Sequence, residues 1–399
     1  MRILVLSNKI PYPAIDGGSI ATLNLILSLA KLGHEVHLLT MNTKKHYFPL
    51  EKIPEPIRKK LNLIALDVPA KISFWSLLKN SLFSKLPYTA ERFFDSNFQE
   101  TLVDLLKKYR FDIIQLEGLY LGCYIPMIQK STSAKIIYRA HNLEFEIWKR
   151  AALRSSLFKR IYLNQLSNRL LNFEKKLLND YAAVLPISKK DGEWYKQQKK
   201  NLKIHHLPAG LSAEFESVQL KTGKPIDLFH IGALDWLPNQ EGLLWFFKRV
   251  WPEIHQKHPD LKFYLAGRNA SQEIKNLKAP NLIFKGEVES ALEFMQEHKL
   301  MIVPLFSGSG MRIKIIEGMA LGKTIISTEL GLEGNSAQKD KEVLIANTKE
   351  EFIEKIEHLF RHPELIDTIG RAAQKFARKH FNQSSIAQDL ETFYQQVLD

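Results

Sequence analysis

Three charged side chains behind a glycine turn form the grouping in this sequence best suited to chemistry: Arg312, Lys314 and Glu317, in PLFSGSGMRIKIIEGMALGKTIIST from Pro304 onward. MIVPLF (301–306) has the short apolar run of a buried strand. Ser307-Gly308-Ser309-Gly310 is a turn whose glycines let backbone come close to a ligand. A helix follows, with Ile313, Ile316 and Met319-Ala320 at helical spacing, and it stops at Gly322 before the strand KTIIST. The first turn of a helix offers free N–H groups and the positive end of its dipole, which suit a phosphate. A cation there is unfavourable for the helix by itself. Arg312 and Lys314 in that turn make sense if an anion sits beside them. From the glycine turn alone, an ordinary strand-to-helix junction with solvated cations would read the same way.

The other candidate residues also fall where a strand ends. RILVLS (2–7) leads into a loop carrying Asp16-Gly17-Gly18, with Ser19 as the expected N-cap of a helix Ile20–Leu32. FDIIQLEG (111–118) ends at Glu117, and AKIIYRA (134–140) delivers His141-Asn142-Leu143-Glu144. IDLFHIG (226–232) ends at Gly232, and LKFYLAG (261–267) leads to Arg268. In an open parallel sheet, ligands collect at the carboxyl ends of strands. His141 and Arg268 also have plain structural readings, as a hydrogen-bonded histidine and a local salt bridge. His205-His206 lacks further ligands at useful spacing, so no metal site is expected.

The elements that must hold these residues alternate between strand and helix in two rounds. EVHLLT (35–40), AAVLPIS (182–188) and LKIHHLPAGL (202–211) complete the first set of strands, with Ser188 capping a short helix. Residues 44–110 read as a variable helical region, and 145–181 as one long basic helix. The pattern restarts after the polar stretch 212–225. A helix runs from about Gln240 to His258, and NLIFKGEV (281–288) and EVLIA (342–346) add strands. Residues 349–399 read as three helices. The expected fold is therefore α/β, with two Rossmann-like, doubly wound parallel-sheet domains facing across a cleft and a helical tail.

The chain has 399 residues, 45% of them apolar, and a single cysteine, Cys123, which excludes an internal disulfide. No apolar run reaches the ~18–20 residues that span a bilayer, and the start is too short in apolar character for a signal peptide. These features favour the cytoplasm. The net charge is +13, carried by the first half: residues 1–205 hold 33 Lys and Arg against 17 Asp and Glu, the remainder 23 against 26. A basic half suggests a polyanion or an anionic membrane surface as partner. No helix-turn-helix, zinc-finger or RNA-recognition signature points to nucleic acid.

Taken together, ILVLSNKIPYPAIDGGS, RAHNLE, FHIGALDWLPNQEGLLWF, LAGRN and above all VPLFSGSGMRIKIIEGMALGKTIIST resemble the retaining glycosyltransferases of family 4, with the GT-B fold. The resemblance spans nearly the whole chain. It implies an acceptor-binding domain over 1–211, a linker over 212–225, a nucleotide-sugar-binding domain over 226–380, and a final helix, 381–399, packing back on the first domain. It implies no cofactor and no metal, with a UDP- or GDP-linked sugar as donor and a glycan or lipid-linked acceptor. Gly17 and Gly18 would face the donor phosphates and sugar, with Gly232 also in the donor site. His141 would contact the sugar, and Arg268 and Lys314 would be the phosphate cations. Gly310 and Met311 would donate backbone N–H groups to the diphosphate. Glu317 matches the second glutamate of the family's E-x(7)-E pattern, the ribose ligand, and Ser309, which stands where the first would be, would also lie in the donor site. The implied function is sugar transfer in cell-surface polysaccharide or lipopolysaccharide synthesis, by a protein peripheral on the inner face of the plasma membrane. A nucleotide-sugar epimerase of the same fold and a non-catalytic sugar-nucleotide-binding subunit are the alternatives.

Overall fold

The computed structural model describes residues 1–70, 73–84, 86–153, 155–218, 226–308 and 310–399. The chain forms two compact units: Met1–Gly210 with Gln383–Asp399, and Leu211–Asn382. Both are doubly wound parallel sheets. In the first unit the strands are β1 (Arg2–Ser7), β2 (Glu35–Thr43), β3 (Ile64–Val68), β4 (Ile113–Glu117), β5 (Lys135–Ala140), β6 (Ala183–Pro186) and β7 (Lys203–Ile204). Their order is β3-β2-β1-β4-β5-β6-β7, with every pairing parallel. In the second unit β8 (Leu228–Ile231), β9 (Phe263–Ala266), β10 (Leu282–Gly286), β11 (Leu300–Val303), β12 (Thr324–Ser327) and β13 (Leu344–Ile345) lie in the order β10-β9-β8-β11-β12-β13, again all parallel.

The central strands are buried on both faces, so they read as continuous apolar runs rather than alternating ones. Ile3 to Leu6 of β1 and Leu300 to Val303 of β11 are fully buried. In each sheet the winding reverses between the first and fourth strands of that unit, β1 and β4 in one and β8 and β11 in the other. Such a switch point splays the two following loops apart and leaves a crevice at the strand ends.

Several boundaries differ from the sequence reading. The Gly17–Lys31 helix is capped by Asp16, whose carboxylate accepts from the Ser19 N–H, so Ser19 lies inside the helix. The segment 145–181 is two helices, Glu144–Leu153 and Leu157–Leu177. The Ser155-Ser156 pair favours a turn over a continued helix, and Arg160 closes the break by donating to the carbonyls of Ala152 and Leu153. The helix expected over 240–258 begins at Leu237 and breaks at Val250, between Leu237–Arg249 and Trp251–Lys257. Pro252 lacks the N–H needed to continue it. The strand β3 sits within the region read as helical, and β7 keeps only two of the residues expected over 202–211.

The described part of the expected linker, 212–218, carries a helical turn, Ala213–Glu216, with Phe215 buried in the core of the second unit. In the first unit the Gln383–Leu398 helix packs on the Gly17–Lys31 helix, placing Ile386, Leu390, Phe393 and Tyr394 in one core with Leu25, Ile26 and Leu29.

Candidate functional site

The second unit gathers its polar groups at the switch point. His230, fully buried near the end of β8, donates from Nδ1 to the Ile302 carbonyl of β11 at 2.7 Å. That bond fixes the tautomer and leaves Nε2 as an acceptor. The Lys314 ammonium fills it at 3.1 Å and also donates to Asn239 Oδ1 at 2.8 Å. Asn239 is oriented by its own amide, which donates to the Ala233 carbonyl at 2.8 Å. Burial, and then the Arg312 charge, hold the Lys314 amine well below its ordinary range. Burial and the Lys314 charge do the same to His230. Both partners of Lys314 are thus neutral acceptors, and it makes no ion pair among the described residues. An amine held in this way without a counter-charge among the described residues, at the mouth of a parallel sheet, gains its proton most favourably when an anion sits beside it, so the position suits a phosphate.

Gly232 makes room for this cluster. A Cβ there would stand 3.0 Å from the Asn239 amide and 3.1 Å from Lys314 Nζ. In the following turn Gly308 and Gly310 both have positive φ, +95° and +87°, as glycine permits. The Trp236 ring lies 2.8 Å from where a Gly308 Cβ would be. Arg312 crosses that ring at 5.0 Å and donates to the Gly310 carbonyl at 2.7 Å, tying the turn to the loop after β8. The Ile313–Ala320 helix follows with Arg312 at its N-cap position, and no side chain among the described residues caps it. Arg312 therefore stands at the cap and Lys314 in the first turn. Met311 is half-buried at the turn's end, and Ser309 lies outside the described residues.

Glu317 lies one turn further along the same helix. Burial, with Glu214 adding repulsion, pushes its carboxyl up to about 7. It has no side-chain partner among the described residues. Arg268, half-buried after β9, supplies its carbonyl to the Leu234 N–H at 2.9 Å, and its guanidinium makes no ion pair among the described residues. The acceptors His230 and Asn239 are not among the residues singled out from sequence. A histidine inside the apolar run LFHI was the available signal, since a buried strand places such a group only where it is bonded.

The first unit has its own cluster at its own switch point. Glu117 ends β4, in register with Ser7 of β1 and Arg139 of β5. Its carboxylate accepts from His141 Nε2 at 2.7 Å and from Thr22 Oγ1 at 2.8 Å, with Arg139 at 3.5 Å. Burial would raise this carboxyl, but the Arg139 charge and the bonds from His141 and Thr22 outweigh it and hold it at about 2. Gln115 also donates to Glu117 and in turn accepts from the Tyr394 hydroxyl of the last helix. His141 is therefore held through Nε2, with Nδ1 left as its second polar atom.

Gly17 and Gly18 open the first helix, where their N–H groups precede the first helical hydrogen bonds. Lys9 pairs with the capping Asp16 at 2.6 Å and reaches within 3.4 Å of a Cβ position at Gly18. Burial raises the Asp16 carboxyl, but Lys9 and Ser19 pull it down to about 2. Lys9, Thr22, Arg139 and Gln115 were not legible as site residues, because each depends on a partner far away in sequence. His205 stacks on Phe393 at 4.8 Å, and His206 donates to the Ile187 carbonyl.

A family profile described as Glycosyltransferase Family 4 matches residues 15–215, and one described as Glycosyl transferases group 1 matches residues 225–362. A Klebsiella pneumoniae protein, described as an uncharacterized 44.6 kDa protein in cps region, is 24% identical over 96% of this chain and 97% of its own length. Sucrose-phosphate synthase from Thermosynechococcus elongatus has the same fold, with a TM-score of 0.70 at 16% identity over 100% of this chain and 99% of that one. Anabaena HepE in complex with UDP superposes with a TM-score of 0.66 at 13% identity, over 99% of this chain and 100% of that one.

Proposed function

Because this chain belongs to the family 4, group 1 glycosyltransferases, we propose that it transfers a sugar from a UDP- or GDP-linked donor to an acceptor hydroxyl. Configuration is retained and no metal ion takes part. The observation that carries the donor site is Lys314, a half-buried amine that, among the described residues, bonds only to the neutral acceptors His230 and Asn239. In this reading Lys314, Arg268 and the free N–H groups at the start of the Ile313–Ala320 helix, with Gly310 and Met311, stabilise the departing diphosphate. Glu317 accepts hydrogen bonds from ribose hydroxyls. The Anabaena neighbour's UDP supports a uridine nucleotide over a guanosine one.

On the first unit, His141 contacts the transferred sugar, and Gly17 and Gly18 face it and the phosphates. The acceptor is a glycan or a lipid-linked saccharide of cell-surface polysaccharide synthesis, a reading supported by the cps-region relative. Lipopolysaccharide is the other pathway of this kind. The excess of Lys and Arg over 1–205 suits an acceptor on an anionic lipid, and hence a cytoplasmic protein peripheral to the membrane. Among the described residues no helix is long and apolar enough to cross a membrane.

Thermal stabilisation by a panel of nucleoside diphosphates and nucleotide sugars tests the donor site. A ligand at ~100 times its dissociation constant stabilises by about 2.7 kcal/mol. One base is expected to shift the wild-type transition, and Glu317→Ala to lose most of that shift. If Glu317→Ala responds like wild type, the ribose role is wrong. Turnover of that donor with and without added acceptor then separates transfer from epimerisation and from binding alone.

A further inference from the structure

The break between the Glu144–Leu153 and Leu157–Leu177 helices exposes apolar side chains on the wrong face of the second helix. Its core-facing stripe is Leu163, Leu166, Leu170, Phe173 and Leu177, at the three- and four-residue spacing of one helix face. Leu157, Phe158 and Ile161 project from the opposite face, and they are 67%, 86% and 61% exposed. Leu153, the last residue of the preceding helix, is 70% exposed. Isolated exposed leucines are common, but an apolar group of this size at one corner marks a contact surface.

Its surroundings select the partner. Residues 147–173 contain no Asp or Glu. Lys149, ahead of the corner, and Lys159, within it, are both exposed. Arg160 donates to the Ala152 and Leu153 carbonyls, which ties the start of the second helix to the end of the first. A second copy of this chain, docked by a two-fold axis on this patch, would bring like cations together with no acidic residue of 147–173 to offset them. A bilayer with anionic headgroups satisfies both features: its acyl boundary takes the apolar tips, and its phosphates take the lysines around them.

We propose that the exposed apolar corner where these two helices meet is a membrane-inserting wedge, with Leu153, Leu157, Phe158 and Ile161 entering the acyl boundary of an anionic leaflet and Lys149 and Lys159 resting on its headgroups. It deepens the lipid-linked acceptor reading by naming the surface that would bring the protein to the lipid. The test needs no turnover, so failure here and failure of the transfer reading are distinguishable.

The experiment is co-sedimentation of the full chain with vesicles of phosphatidylcholine, with and without phosphatidylglycerol, at low and high salt. The wild type is expected to bind the phosphatidylglycerol vesicles at low salt and to lose much of that binding at high salt. The triple variant Leu157→Ser, Phe158→Ser, Ile161→Ser is expected to bind more than about tenfold more weakly. The double variant Lys149→Glu, Lys159→Glu is expected to lose about tenfold and much of its salt dependence. Unchanged thermal transitions in both variants show that they are folded. The proposal is overturned if the wild type ignores anionic vesicles, or if the triple variant binds like wild type. It is equally overturned if the wild type is a dimer in dilute solution that the triple variant splits, since the patch would then be covered by another copy.

Discussion

Replacing Lys314 with Met is expected to lower kcat/KM for the nucleotide-sugar donor by about 10²–10³-fold while leaving the protein folded. Methionine keeps an unbranched apolar stem in the same space and removes only the charge and its donors. Two opposing stability terms follow. The substitution leaves His230 Nε2 and Asn239 Oδ1 without their shared donor, and a buried acceptor left unbonded costs ~1–3 kcal/mol. It also removes an ammonium that burial and the Arg312 charge disfavour. These terms offset, so the transition temperature should move little.

The catalytic term has nothing to offset it, because the diphosphate, already anionic in the bound donor, gains further negative charge as the glycosidic bond breaks. Steady-state kinetics with saturating acceptor, alongside the melting curve, reads both quantities. A variant within a few-fold of wild-type kcat/KM would remove Lys314 from the phosphate site. The non-catalytic alternative would be separated as well, because such a subunit has no turnover to lose.

What could be read from sequence, and what could not, follows the range of the interactions involved. The strands β1, β8 and β12 are legible because a strand buried on both faces writes its position as a run of apolar residues. The parallel, doubly wound class follows from the alternation of such runs with helices. β3 escapes because Ile64–Val68 lies at the sheet edge, half-buried and with Asp67 inside it, so it has neither a continuous apolar run nor a helical period. The break at Ser155-Ser156 escapes because apolar residues continue at helical spacing on both sides of it. Those after the break serve a different face from the core stripe.

In the candidate site, Arg312, Lys314 and Glu317 are visible as charges in a helix where burial is otherwise the rule. Their partners are not visible: His230 lies 84 positions and Asn239 75 positions from Lys314, and only the switch point of the sheet brings them together. The same holds in the first unit, where Glu117 reaches Thr22 across 95 positions and Gln115 reaches Tyr394 across 279.

Glu174 yields the second large effect, on stability rather than activity. It is fully buried in the first unit, accepting from the Tyr195 hydroxyl and from Tyr138 at 3.4 Å, while its Oε2 atom has no partner among the described residues. Burial pushes its carboxyl up to about 8, and the nearby Glu144 and Asp191 add to the rise against the two tyrosine hydrogen bonds. An unfolded glutamate titrates near 4.5. Between those values the unfolded chain has released the proton and the folded chain still holds it. Stability therefore falls as pH rises through that window, being fully present below about 4.5 and lost above about 8.

The span corresponds to on the order of 3–5 kcal/mol at 1.36 kcal/mol per unit. Glu174→Gln stays neutral at every pH and keeps an acceptor for Tyr195, so it should lack this slope. Hydrogen exchange at the core amides of β5, followed from pH 5 to 9 in wild type and variant, isolates the first unit from the second. The variant is expected to gain steadily on the wild type as pH rises, because only the wild type must hold or ionise a carboxyl in its core. Two parallel curves would mean that Glu174 reaches solvent or a counter-charge in solution, and that its burial does not govern its proton.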